Sequence, residues 1–273
     1  MSPDGVRIVP FLKWAGGKRW FAERAIDLLP KSYDRYVEPF LGSGALYFSL
    51  RPARALLADA NARLMETYDA IRSDWKKVGD HLAWHQRKHD HDHYYAERAR
   101  VRRSLHARAA QFIYLNRTCW NGLYRVNVAG QFNVPIGTKT TVVLETDDFE
   151  KIATQMRRCK LRCSDFETVL DDCGRGDFVF VDPPYTVKHN MNGFVRYNET
   201  LFSWADQIRL RDCVVAAVRR GAKVLVTNAD HPSIRKLYRD FAKIRPITRA
   251  SVLAADAGFR TQVNELVITT WER

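Results

Sequence analysis

Asp177-Phe178-Val179-Phe180-Val181-Asp182-Pro183-Pro184-Tyr185 is the stretch on which the architecture turns. From Phe178 to Val181 every position is apolar, whereas a strand with one wet face would alternate. Such a strand is covered on both faces, the situation of a parallel sheet flanked by helices. Further short apolar or β-branched runs lie to either side of it: Tyr36-Val37-Glu38, Ala55 to Asp59, Lys160 to Cys163, Lys223 to Asn228, Lys243 to Ile247 and Glu265 to Trp271. Helical patterns separate them; in Leu201 to Arg220 the residues Leu210, Val214, Val215 and Val218 fall at helical spacing. Strand alternating with helix predicts an α/β chain with a parallel sheet of the doubly wound class.

One stretch breaks that alternation. Residues 61–146 are mostly helical and rich in Arg and His, then pass into a Gly- and Asn-punctuated segment from Asn121 to Gly137. Within it, Val126 to Val134 has the form of a β-hairpin turning at Ala129-Gly130. We therefore expect one catalytic α/β domain, residues 1–60 and 147–273, interrupted by an insertion over residues 61–146.

Composition narrows the class of partner. Lys and Arg total 44 against 31 Asp and Glu, a net charge of +13. An excess of that size suits a polyanion, although charge also serves solubility. The five cysteines contain no C-x-x-C pair, which points away from a zinc knuckle and toward free thiols in a reducing compartment. Arg7, Lys13, Lys18 and Arg19 interrupt the N-terminal region, so it does not read as a signal peptide. No apolar run reaches the roughly 20 residues of a membrane span. The expectation is a cytoplasmic protein with no membrane partner.

Two motifs carry chemistry. Glu38-Pro39-Phe40-Leu41-Gly42-Ser43-Gly44-Ala45 follows a short strand and leads into a helix, so its glycines permit a tight turn and close approach of a ligand. Asp59 ends the next strand 17 residues after Gly42, about where a nucleotide-binding α/β fold places its ribose carboxylate. Alone, this motif also fits a plain strand–turn–helix. The second motif is Asp182-Pro183-Pro184-Tyr185. Its prolines present carbonyl acceptors without N–H donors, Asp182 adds a carboxylate and Tyr185 an aromatic face. An amino group on a heteroaromatic ring is a poor nucleophile because its lone pair is delocalised. Acceptors that hold its N–H bonds out of the ring plane localise that pair and stabilise the charge developing on nitrogen.

Taken together, these motifs resemble the Dam-like DNA adenine-N6 methyltransferases, in the α-class motif order. The resemblance rests on Phe11 to Lys18, Glu38 to Gly44, Leu57-Ala58-Asp59-Ala60-Asn61, Asp182 to Tyr185, Thr227-Asn228 and Asn264 to Ile268, nearly the whole chain. It implies a Rossmann-like S-adenosylmethionine-dependent methyltransferase fold whose insertion is the target-recognition domain. It also implies methyl transfer to adenine N6 in double-stranded DNA at GATC or a related site, by base flipping, in a monomer without metal. The setting is a bacterial nucleoid or a phage, in restriction–modification or replication control.

By the same resemblance, Asp182, Pro183 and Tyr185 are catalytic. Trp14, Lys18, Glu38, Phe40, Gly42, Gly44, Asp59, Asp165, Phe166 and Asp182 hold the cofactor. Lys13, Arg117, Trp120, Asn121, Leu123, Arg125 and Pro135 meet DNA. Arg125 corresponds to a guanine-reading arginine, Leu123 and Pro135 to thymine contacts, and Trp120-Asn121 to the pair beside the flipped base. Related acceptor chemistry serves cytosine N4, RNA and protein nitrogens, but those enzymes more often carry Ser or Asn where this chain has Asp182, and they lack the hairpin.

Two further patterns need a reading. His85, His89 and His93 recur every four residues, a spacing that could bind metal on a helix. The charged surroundings, with no Cys or Glu to close a site, favour a solvated helix face. Arg98, Arg100, Arg102, Arg103 and Arg108 suit either DNA phosphates or water.

Overall fold

The structure, a computed structural model, describes residues 8–24, 26–127, 129–187, 202–250 and 262–271. Its first half contains α1 (Arg19–Arg24), β1 (Arg35–Glu38), α2 (Ala45–Leu50), β2 (Ala55–Asp59), α3 (Ala62–Lys88), α4 (His91–Ala99) and α5 (Leu105–Thr118). Then follow α6 (Phe149–Met156), β3 (Cys159–Cys163), α7 (Phe166–Asp171), β4 (Asp177–Val181), α8 (Trp204–Arg219), β5 (Lys223–Ala229), α9 (Pro232–Tyr238), β6 (Lys243–Ala250) and β7 (Gln262–Thr269). The fold is α/β and Rossmann-like. The chain divides into two compact units, residues 1–23, 41–53 and 61–163 in one, and 24–40, 54–60 and 164–273 in the other.

The second unit is built on strands in the order β2-β1-β4-β5-β7-β6. Neighbours from β2 to β5 run parallel, with Val37 opposite Leu56 on one side and Val179 on the other. β7 is antiparallel to both β5 and β6. Apolar content forecasts a strand but not its direction, so this reversal was not part of the sequence expectation. Phe178, Val179, Phe180 and Val181 are all buried, as their unbroken apolar run requires. Tyr36, Tyr33 and Trp271 pack around Phe178. Val179 and Val181 join Val37, Leu210, Val214 and Val226 in the core.

α8 starts at Trp204 because Ser203 and Asp206 form a reciprocal capping box. The expected start at Leu201 lies outside the described residues. Its buried face is Gln207, Leu210, Val214 and Ala217, a helical repeat with a glutamine at the first place. From β1 the chain leads to β2 on one side, and β4 leads to β5 on the other. The strand order therefore reverses between β1 and β4, and ligands of open α/β sheets bind beyond the strand ends at such a point. Glu38 ends β1 and Asp182 follows β4.

In the first unit, α3 is capped by Asn61, whose side chain accepts from Leu64 N at 3.1 Å, and it kinks at Asp74. α5 is buried along most of its length, and Tyr68 from α3 donates to Gly42 O at 2.9 Å. The expected hairpin is present as antiparallel bridges Val126–Phe132 and Cys119–Ile136. Gly130 has φ 75°, and Asn127 Oδ1 accepts from Gln131 N at 2.9 Å, a side-chain bond that closes the turn.

Candidate active site

At the strand ends of the second unit three carboxylates lie within electrostatic reach. Glu38 is buried and accepts from Tyr36 OH at 2.8 Å. Burial above all, then the like charges of Asp182 and Asp59, push its carboxyl well above the usual range, and the Tyr36 bond only partly opposes them. A concentration of negative charge with one member forced toward neutrality is matched to a cationic ligand.

Asp182 accepts from Thr227 Oγ1 at 2.6 Å, and Tyr185 donates to Glu265 Oε2 at 2.9 Å. Burial, followed by the charges of Asp182 and Glu265, raises the Tyr185 phenol well above its ordinary value, so it stays a hydrogen-bond donor. Asp182, Pro184 and Tyr185 are only partly buried, so the tetrapeptide is not sealed in the core.

Phe40 stacks on Phe166 with ring centres 5.4 Å apart, and the Arg209 guanidinium lies 4.2 Å from the Phe166 ring centre. Asp165 caps α7 by accepting from Glu167 N and forms an ion pair with Arg209 at 2.8 Å. Against the upward push of burial, the Arg209 and Glu167 bonds hold the Asp165 carboxyl below its usual range.

Within the first unit, the Trp14 indole packs on Gly42, where a Cβ would lie 2.7 Å from the ring. Gly42 has φ 48° and Gly44, at the start of α2, has φ 64°; both are conformations glycine adopts without strain. Lys18 is buried and donates to Gly16 O at 3.0 Å. Trp14 also stacks on Tyr124, at 5.6 Å and 21°. Lys13 exchanges two hydrogen bonds with the Asn116 amide, and its stem covers Gly122.

Trp120, Asn121, Arg125 and Pro135 are exposed and Leu123 partly so. Asn121 adopts φ 54°, and Arg125 donates from Nε to Asn133 Oδ1 at 2.9 Å.

Two expectations need correction, and one open reading is narrowed. Arg117 is not presented to solvent: it is buried, forms a two-pronged pair with Asp147 at 2.6 Å, and donates to Phe11 O and Val142 O. A guanidinium so engaged braces the unit and does not meet a phosphate. The histidines are not a solvated face, because His85 is buried, stacks on Tyr114 and lies 3.1 Å from His93. His85 and His93 also fall on different helices, with His89 between them. Finally, Arg98, Arg100, Arg102 and Arg108 are engaged with Val134 O, Glu97, Glu97 and Glu66 respectively.

Among the described residues no group of three or more His, Cys, Asp or Glu could hold a metal ion, and no helix is long and apolar enough to cross a membrane. Thr227 and Glu265 stood in the sequence only as family-like segments, while Gln207 and Arg209 passed unnoticed. The signal for Gln207 was its place on an otherwise apolar helical stripe.

The chain belongs to the D12 class N6 adenine-specific DNA methyltransferase family, which it matches over residues 14–252. It is an adenine-specific DNA methyltransferase. The Type II methyltransferase M1.LlaDCHI of Lactococcus lactis subsp. cremoris is 34% identical over 99% of this chain and 98% of its own length. The DNA N-6-adenine-methyltransferase of Escherichia phage P1 is 38% identical over 84% of this chain, which spans 31% of that longer protein. The DNA adenine methylase of Haemophilus influenzae is 27% identical over 94% of this chain and 92% of its own.

Proposed function

We propose that the enzyme uses S-adenosylmethionine to methylate N6 of an adenine flipped out of duplex DNA at GATC or a related site. The observation that carries this reading is Asp182, partly accessible at the end of β4 and oriented by Thr227, beside Glu38 and Asp59. The residues fit the cofactor. Crowded carboxylates suit its cationic amino acid end and ribose hydroxyls, and the bare Gly42 backbone sits where a side chain would collide with Trp14. When bound, S-adenosylmethionine supplies an electrophilic methyl group.

Glu38 takes the cationic end of the cofactor and Asp59 accepts from its ribose. Trp14, Lys18, Phe40, Gly42 and Gly44 shape the remainder, and Asp165 receives the adenine with Phe166 backing Phe40. Asp182 and the Pro183 carbonyl accept the target amino hydrogens, which directs the nitrogen lone pair out of the ring. Tyr185 stacks on the base, repaying part of the few kcal/mol of unstacking. Positioning and electrostatics lower the barrier without a strong base. Lys13, Trp120, Asn121, Leu123, Arg125 and Pro135 engage the duplex, with residues 61–146 as the reading domain and residues 1–60 and 147–273 as the catalytic one. The enzyme acts as a monomer in the cytoplasm.

Asp182→Ala tests this. Transfer of tritiated methyl from S-adenosylmethionine to unmethylated duplex DNA should fall below detection while circular dichroism stays unchanged. Full activity in that variant would refute the assignment.

A further inference from the structure

Thr227 and Glu265 bond directly to the loop Asp182 to Tyr185, and Asn228 reaches it through Gln207. Thr227 and Asn228 are consecutive residues of β5, so their side chains leave opposite faces of the sheet. On one face Thr227 Oγ1 donates to Asp182 Oδ1 at 2.6 Å. On the other, Asn228 Nδ2 donates to Gln207 Oε1 at 3.1 Å, and Gln207 Nε2 donates to the Pro184 carbonyl at 3.2 Å. Asn228 Oδ1 is itself held by Ala229 N at 2.9 Å. On the neighbouring strand, Glu265 sits opposite Ala229 and accepts from Tyr185 OH at 2.9 Å.

All four of these residues are buried. Burying amides, a hydroxyl and a carboxylate is costly unless each is bonded, and apolar residues would fill the same space without that cost. Gln207 stands on the apolar stripe of α8, where Leu210, Val214 and Ala217 show what the fold itself asks for. What the polar side chains share is the tetrapeptide.

We propose that Thr227, Gln207 and Glu265 are positioning residues that hold Asp182, Pro184 and Tyr185 in the geometry the transfer step uses. The proposal rests on the reading of Asp182 to Tyr185 given above. Thr227 fixes the rotation of the Asp182 carboxylate and so the direction in which it accepts an amino hydrogen. Both prolines have φ locked near about −65°, so pinning the Pro184 carbonyl leaves the backbone through Pro183 little freedom to turn. Glu265 anchors the far end of the Tyr185 ring and sets its plane. The acceptors are then in place before the base arrives, where a mobile loop would have to be ordered during the reaction.

The test is methyl-transfer kinetics of the full chain with tritiated S-adenosylmethionine and unmethylated duplex DNA. Thr227→Val keeps the shape and removes the donor. Its kcat should drop by about 10- to 100-fold, with both KM values within about 3-fold of the unmodified chain. Thr227→Ser, which retains the hydroxyl, should restore kcat to within about 3-fold. A Thr227→Val enzyme of undiminished kcat, or equal losses in the two variants, would overturn the proposal.

Gln207→Glu gives a second reading should Thr227→Val not fold. The introduced carboxyl donates to the Pro184 carbonyl only when protonated. Its kcat should therefore decline as pH rises and recover as pH falls, along a limb the unmodified enzyme lacks. A superimposable pH profile would count against the frame. If the unmodified chain transfers methyl and Asp182→Ala does not, the reading of the site stands whatever these variants do. If the unmodified chain transfers none, that reading and this proposal fall together.

Discussion

Glu38, proposed to take the cationic end of the cofactor, is held by the fold at a cost. Its carboxyl is raised well above the usual range by burial and by the charges of Asp182 and Asp59. The folded chain therefore holds a proton that the unfolded chain releases above the ordinary carboxylate range, and stability must decline as pH rises through that window. Glu38→Gln removes the titration. Its melting temperature should exceed that of the unmodified protein by a margin that widens as pH rises above the ordinary carboxylate range. Its affinity for S-adenosylmethionine, measured by calorimetry, should fall. A constant margin across pH would show that Glu38 is ionised in the folded chain. Arg117 makes the complementary point. Its position beside the hairpin suggested a DNA contact, but Asp147, 30 residues later, neutralises it inside the unit. Charge pattern in a sequence does not reveal which partner the fold will supply.

At the level of elements, β4 was legible because four consecutive apolar residues admit no other placement. The end of β1 was legible because its glycines demand a turn. The start of α8 at Trp204 is fixed by the capping box of Ser203 and Asp206, a signal the apolar spacing does not carry. The reversed direction of β7 escaped, since alternation carries no sense of polarity. The α3 and α4 histidines were misread for a related reason: helical spacing gives a shared face but not what covers it. Here the cover is Tyr114, stacked on His85 at 4.5 Å. Burial first, then the charges of His93 and Arg102, push His85 down to about 3. The folded chain thus excludes a proton that the unfolded chain takes up below the ordinary value of 6.5. Stability linked to this residue is fully present above that pH and is lost as pH falls toward 3. Urea unfolding between about pH 7 and about pH 4 should show a slope contribution of about 1.4 kcal/mol per pH unit that His85→Phe removes. Identical slopes in the two proteins would mean that His85 titrates normally.

Across the whole molecule, a net charge of +13 sets how the enzyme approaches its substrate. Arg100, Arg102, Arg108 and Arg117 are paired with carboxylates, which that net figure already subtracts. The excess should make duplex binding strongly salt-dependent through counterion release. We expect affinity, read by fluorescence anisotropy, to weaken by at least about 1,000-fold between roughly 50 and roughly 200 mM salt. A loss of only a few-fold would mean that few phosphates are neutralised. The proposed catalytic loop and cofactor turn stand out in the sequence because they use unusual residues in fixed order. The frame behind them does not, because Thr, Gln and Glu are common and only the fold brings them to one loop. The last strand in the sheet order, β6, has a consequence of its own. Its Lys243, Arg245 and Pro246 are exposed, and strand margins bearing cations and an imino acid resist the accretion of further strands. That margin is thereby guarded against edge-to-edge pairing with a second copy.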